Sequence, residues 1–151
     1  MPLSAATTQD SLSASAAVML RAMYERLLEA YGPQQWWPAE TPLEVTIGAY
    51  LTQNTSWKGV ERSIANLREH GLLDAAALLA YPEEELRVVL RPSGYMVRKS
   101  AAVKAFVGFL FAEARGSFDV LAKMPLQVLR PKLLALPGVG PETADAILLY
   151  V

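Results

Sequence analysis

The 151-residue chain has no cysteine and a single histidine. Without thiols, disulfides, thiolate zinc sites and cysteine-ligated clusters are excluded within these residues. His70 sits at the end of a helical pattern just before Gly71. A partly charged ring is favourable there, and a metal role lacks partners. No apolar run approaches the roughly 18 residues needed to span a bilayer. The first residues, MPLSAATTQDSLSASAA, lack the basic stretch and leucine-rich core of a secretory signal. Residues 1–13 are expected to be a disordered tail, and a cytoplasmic protein is the default expectation. Net positive charge is also missing: 14 Lys+Arg against 15 Asp+Glu leave −1. What the chain does have is 52% apolar residues, only 19% charged ones and a mean hydropathy of +0.21. That is ample material for the core of one domain.

The charge is unevenly spread. Residues 1–85 carry a net −6, residues 86–132 a net +7, and residues 133–151 a net −2. The basic segment holds Arg87, Arg91, Arg98, Lys99, Lys104, Arg115, Lys123, Arg130 and Lys132. It is read either as a face for an anionic partner or as a solvated surface balancing the acidic half.

The chain reads as successive helices without convincing strands, so the class is all-α. Leu20, Met23, Tyr24, Leu27 and Tyr31 recur at helical spacing and predict a helix over 14–31, stopped by Gly32-Pro33. Thr41-Pro42-Leu43-Glu44 is a capping box with proline at the first helical position. The LEVTIGAYL that follows partly alternates like a strand, but its cap and length favour helix. TQNTSW is a polar break, and Gly59 to His70 is amphipathic. Asp74 caps a short helix, and Pro82 opens another whose first turn holds Glu83, Glu84 and Glu85. The helix dipole favours anions there, which explains that triplet better than a catalytic cluster does. RPSGY is a turn, Tyr95 to Arg115 a long helix, and Asp119 to Met124 a short piece. Pro125 opens a helix to about Leu134, and Glu142 to Val151 forms the last one.

Between those last two helices stands Leu136-Pro137-Gly138-Val139-Gly140. Two glycines permit backbone torsions barred to other residues and let a partner approach the main chain. Val139 between them is expected to turn inward as an apolar plug. The start of the following helix presents unpaired N–H groups suited to one backbone phosphate. Such contact positions a protein on nucleic acid without reading sequence.

LLALPGVGPETADAILLY resembles the helix-hairpin-helix element of the endonuclease III superfamily of DNA base-excision glycosylases. WWP at 36–38, LEVTIGAYLTQNTSWKGVERSIANL at 43–67 and LRPSGYMVRKSAAVKAF at 90–106 extend the resemblance over about residues 18–151. They look most like the 3-methyladenine DNA glycosylase branch. The resemblance implies a helical glycosylase domain over 14–151, incomplete at its C-terminus. It implies double-stranded DNA with a damaged base as partner, and a monomeric, prokaryotic, nucleoid-associated protein with no membrane contact. DNA-binding residues would be Leu136, Gly138, Val139, Gly140 and Thr143. Gln53 and Asn54 lie where relatives carry the polar residues that occupy the duplex after a base is flipped out. Trp36, Trp37, Pro38 and Trp57 would wall the base pocket, since tryptophan offers the best cation–π face to a methylated purine.

Two departures from the family pattern matter. Glu142 occupies the position of the lysine that bifunctional relatives use to form a Schiff base, which implies a monofunctional glycosylase. The family's essential aspartate is expected beyond Val151, so residues 1–151 alone are expected to be inactive and no catalytic residue is assigned within them. Asp145 is no substitute for it. AILLYV carries no helix stop signal, consistent with a longer protein. The resemblance implies no metal or cofactor in these residues. Many relatives carry a four-cysteine iron–sulfur cluster further on. An endonuclease III-like glycosylase and lyase for oxidised pyrimidines, and a non-catalytic helix-hairpin-helix module, remain as alternatives.

Overall fold

The computed structural model describes residues 5–34 and 37–150, with side-chain surroundings from residue 14 on; every described element is helical. The chain divides into two compact units, Met1–Pro38 and Ala39–Val151. The first contains α1, Ala5–Tyr31, which starts earlier than the expected residue 14. Gly32 ends it at φ +68°, its N–H bonded to the Leu28 carbonyl at 2.8 Å.

In the second unit α2 runs Pro42–Leu51, and every residue from Leu43 on is buried. A helix buried all round has no polar face to reveal its period, which is why its sequence partly mimics a strand. Its cap is built as expected, with one refinement. Thr41 Oγ1 accepts from the Glu44 N–H at 3.2 Å, while Glu44 Oε2 accepts from the N–H of Glu40 at 2.9 Å, one residue before the cap. The other Glu44 oxygen accepts from Arg68 at 2.7 Å. Both carboxylate oxygens are thereby partnered; Arg68 is half exposed, so solvent screens the pair and it contributes about 1 kcal/mol or less.

Helix α3, Trp57–Glu69, is capped by Ser56 and starts two residues before the expected Gly59. Asp74 caps α4, Ala75–Ala80, by accepting from the Ala77 N–H at 2.8 Å. Helix α5 is Glu83–Val89, with all three glutamates in its first turn. Glu83 and Glu84 accept from Arg87 at 2.8 and 2.7 Å, as helix-start residues paired along a surface do. A 3-10 turn, Arg91–Ser93, leads into α6, Met96–Ala114, which Tyr95 and Arg115 flank in left-handed backbone at φ +45° and +54°. Helices α7, Phe118–Leu121, α8, Leu126–Leu134, and α9, Pro141–Tyr150, complete the unit.

One core joins α2 to the last helices. Ile47, Tyr50 and Leu51 pack with Val103, Phe106 and Leu110 of α6, Leu133 of α8, and Ala144 and Ile147 of α9. The Tyr50 and Phe106 rings meet edge to face at 6.2 Å. The C-terminal end of α2 is thus seated beside the link between α8 and α9. Among the described residues no helix is long and apolar enough to cross a membrane.

Candidate nucleic-acid interface

The link between α8 and α9 is a tight hairpin. Gly138 has φ +75°, a left-handed conformation that glycine adopts without steric cost. A Cβ there would lie 3.5 Å from the Ala102 methyl and 3.7 Å from the Tyr50 ring, so the hairpin backbone rests directly on α6 and α2. Val139 is 8% exposed and belongs to the core, the inward plug its sequence implied. Its N–H donates to the Leu136 carbonyl at 3.2 Å. Leu136 is partly buried and packs its side chain against the core. Gly140 is exposed and has no atom within 4 Å of a Cβ added to it. Its carbonyl accepts from the Ala144 N–H at 2.9 Å, beginning α9. The N–H groups of Gly140, Glu142 and Thr143 precede the first intrahelical bond and have no acceptor within the helix. Free donors at the positive end of a helix dipole can hold one anionic oxygen group.

Gln53 is held against this hairpin. Its Nε2 donates to the Gly138 carbonyl at 2.8 Å and to Thr143 Oγ1 at 3.1 Å. Asn54, the next residue, is exposed, has left-handed backbone at φ +52°, and makes no side-chain hydrogen bond among the described residues. Asparagine tolerates that conformation better than most residues. The two residues the sequence left equivalent are therefore different in place: one is tied to the hairpin, the other is presented outward.

Gln53, Asn54, Tyr95, Arg98, Pro137 and Gly138 line a cleft of about 410 Å³. Tyr95 is 61% exposed, a bulky side chain at φ +45°, which is uncommon. Beneath it Lys99 is only 5% exposed. Its Nζ donates to the Leu51 carbonyl at 2.8 Å and the Ser93 carbonyl at 2.7 Å, joining the end of α2 to the turn before Tyr95. Burial holds its pKa below the ordinary lysine value. Neither residue stands out in the sequence. The RPSGY turn marks a loop, but nothing in it says that tyrosine rather than glycine is left-handed, and Lys99 reads like any surface lysine.

The basic segment does not form one binding face. Arg87 is paired with Glu83 and Glu84, Lys99 is buried, and Lys104 donates to the carbonyls of Leu78, Leu79 and Tyr81 at the end of α4. Arg130 makes a two-pronged pair with Asp145 at 2.7 and 3.1 Å, and Lys132 pairs with Glu113. The Arg130–Asp145 pair ties α8 to α9 across the hairpin, and the bond from Arg130 holds the Asp145 carboxyl below the usual range. Most of the charge that looked available is spent inside the chain. Arg91 and Arg98, on the turn and at the start of α6, are exposed.

Trp37 and Pro38 belong to the first unit and Trp57, 41% exposed at the start of α3, to the second. Trp36 lies outside the described residues, as does Val151. Glu142 is exposed in the first turn of α9. Among the described residues no group of three His, Asp or Glu side chains could hold a metal ion.

A family model described as HhH-GPD superfamily base excision DNA repair protein matches residues 47–133, more than half of the chain. The chain belongs to this superfamily. A helix-hairpin-helix motif model matches residues 130–150, which hold the Gly138–Gly140 hairpin and α9. Among curated relatives, a Methanocaldococcus jannaschii protein named as a candidate DNA repair glycosylase, MJ1434, is 46% identical over 134 residues, 87% of this chain and 60% of that protein. The chloroplastic endonuclease III homolog 2 of Arabidopsis thaliana is 28% identical over 111 residues, 74% of this chain and 27% of that protein. The chain thus spans less than two thirds of the length of each of these relatives. The crystal structure of H. pylori 3-methyladenine DNA glycosylase (MagIII) bound to 1,N6-ethenoadenine is similar with TM-score 0.71 and 29% identity, over 87% of this chain and 62% of that one. An endonuclease III–DNA complex shares the fold, with TM-score 0.63 at 21% identity over 86% and 57% of the two chains. The helix-hairpin-helix glycosylase fold and the endonuclease III resemblance implied by the sequence both hold.

Proposed function

We propose that the protein is a base-excision DNA glycosylase that hydrolyses the N-glycosidic bond of damaged bases, alkylated purines above all. The observation that carries this is the hairpin: within a member of this superfamily, a left-handed Gly138 and a buried Val139 leave the start of α9 open to a duplex phosphate. Asn54, exposed beside it, is the residue we assign to the gap left by a flipped base; Gln53 holds the hairpin instead. Trp57, 41% exposed at the start of α3, supplies an aromatic face of the kind a cationic methylated purine would need. The likeness to the H. pylori enzyme supports alkylated purines over oxidised pyrimidines. Glu142 supports simple hydrolysis, because a carboxylate cannot form the imine a lyase needs.

Two measurements test this reading. In competition binding the protein should prefer a duplex holding an abasic analogue to an unmodified duplex, and failure to bind duplex DNA at all would refute it. Borohydride treatment on abasic DNA should trap no covalent adduct; a strong adduct would overturn the monofunctional assignment.

A further inference from the structure

Two loops line the cleft: one follows α2 at Gln53 and Asn54, the other precedes α6 at Tyr95. Their roots are held differently. The turn that leads to Tyr95 is fixed by α3. Ser63 Oγ accepts from the Ser93 N–H at 3.1 Å and donates to the Leu90 carbonyl at 3.3 Å. Asn66 donates to the Val89 carbonyl at 3.0 Å. Gly59 lies so close that an added Cβ would stand 2.7 Å from the Pro92 carbonyl oxygen. The loop after α2 begins at a helix end, where the last carbonyls have no intrahelical donor. The Leu51 carbonyl is one of them, on a wholly buried residue. Lys99 Nζ donates to it at 2.8 Å and to the Ser93 carbonyl at 2.7 Å. One buried ammonium thus ties the end of α2 to a turn that α3 already holds.

We propose that Lys99 is a positioning residue that sets the separation of these two loops, and with it the preference of the cleft for an opened over an intact duplex. This spacing role rests on the glycosylase reading given above and adds the device that spaces its contacts. The acceptors explain why the residue is a cation. Two carbonyl oxygens that share one nitrogen turn their negative ends toward the same place. An ammonium between them draws them together through charge-assisted bonds, about twice as strong as neutral ones. An apolar side chain of equal length would leave them to repel, each bare in the interior. The end of α2 would then move away from the turn. The body of α2 stays in place, because Ile47 and Tyr50 pack in one core with Val103 and Phe106 of α6. The change is therefore confined to the loops, and it falls on whatever substrate must meet both of them at once.

Two measurements read the spacing and its effect. The chain has no cysteine, so Asn54→Cys and Met96→Cys, both at exposed positions, take one spin label each. Their separation in the parent chain should be a single narrow distribution; a broad one overturns the proposal without any variant. In Lys99→Met, which keeps the length and removes the charge, the distribution should broaden or move to longer distance. Unlabelled chains are then titrated by fluorescence anisotropy with an unmodified duplex and with the same duplex holding an abasic analogue. Lys99→Met should lose about tenfold more affinity for the abasic duplex than for the unmodified one, a coupling of the size found within one network. Lys99→Gln, uncharged and one atom shorter, should behave alike and keeps a polar side chain in place should the methionine chain not fold. An unchanged distance distribution in a folded variant overturns the proposal. So does an unchanged preference, and so does a parallel loss of both affinities, which is what a merely structural lysine would give. A parent chain that prefers the abasic duplex in any of these cases leaves the glycosylase reading standing. A parent chain without that preference overturns the spacing role, and one that binds neither duplex overturns the glycosylase reading as well.

Discussion

Gly140→Asp separates a structural helix start from a phosphate site. Gly140 immediately precedes Pro141, the first residue of α9, its φ is not left-handed, and a Cβ placed there meets no atom within 4 Å. An aspartate therefore fits without strain. At a helix start its carboxylate accepts from the free N–H groups of the first turn, and aspartate is better than glycine there by a few tenths of a kcal/mol. The dipole adds about 0.3–1 kcal/mol. As far as folding is concerned, the substitution should be neutral or mildly stabilising. For an incoming phosphate the same carboxylate takes the donors and adds repulsion. Hydrogen bonds to a charged group are worth about 1.5–3 kcal/mol, so duplex affinity should fall roughly 10- to 150-fold. Urea melts give the first quantity, and fluorescence anisotropy at one fixed salt concentration gives the second, because duplex affinity moves with salt. Affinity within about threefold of the parent chain, together with the raised stability, would refute the phosphate assignment.

Gly59→Ala should destabilise the fold by about 1–3 kcal/mol, the usual cost of overpacking, because the added methyl would lie 2.7 Å from the Pro92 carbonyl oxygen and 3.2 Å from Thr55 Oγ1; an unchanged urea midpoint would contradict that close approach. Tyr50→Phe should leave stability unchanged or raise it by about 1 kcal/mol, since the buried hydroxyl has no hydrogen-bond partner among the described residues and an unmet buried polar group costs about 1–3 kcal/mol; a clear loss in thermal melts would mean the hydroxyl is satisfied. For Asp145 the folded carboxyl is held below its usual pKa by Arg130, so the native state binds that proton less readily than the unfolded chain does. The pair stabilises above roughly pH 4 and is lost as pH falls through the lower folded value. Asp145→Asn should lower stability at neutral pH and converge with the parent in acid; a difference that is constant across that range would contradict it.

What could be read from the sequence follows from the range of the forces involved. Thr41, Asp74 and the Glu83–Glu85 turn act on backbone groups three or four residues away, so their spacing alone gives their role. The inward turn of Val139 is similar, because two glycines around one valine leave few alternatives. Helix α2 was harder, since burial on every side erased its period. The basic segment stayed open between two readings for a related reason: the sequence counts charges, but only three-dimensional neighbours decide which remain available. Arg130 finds Asp145 fifteen residues on, and Lys132 finds Glu113 nineteen back.

Gln53 and Lys99 mark the limit of local reading. Side by side in a sequence, Gln53 and Asn54 are two polar residues at a helix end, and no spacing rule ranks them. They part only when α9 packs on α2 and brings Thr143 within 3.1 Å of one of them. Lys99 is legible as a cation but not as a buried one, because its burial depends on the end of α2 and the Arg91–Ser93 turn meeting above it. Both residues act by satisfying carbonyls that these meetings would otherwise leave bare, and a bare buried carbonyl is costly. Where helix ends converge in a small all-α unit, long polar side chains must close the backbone account. Such convergences are also where loops gather to meet a ligand. The residues that hold this interface together are therefore the same kind that a sequence scan passes over as ordinary surface Lys and Gln.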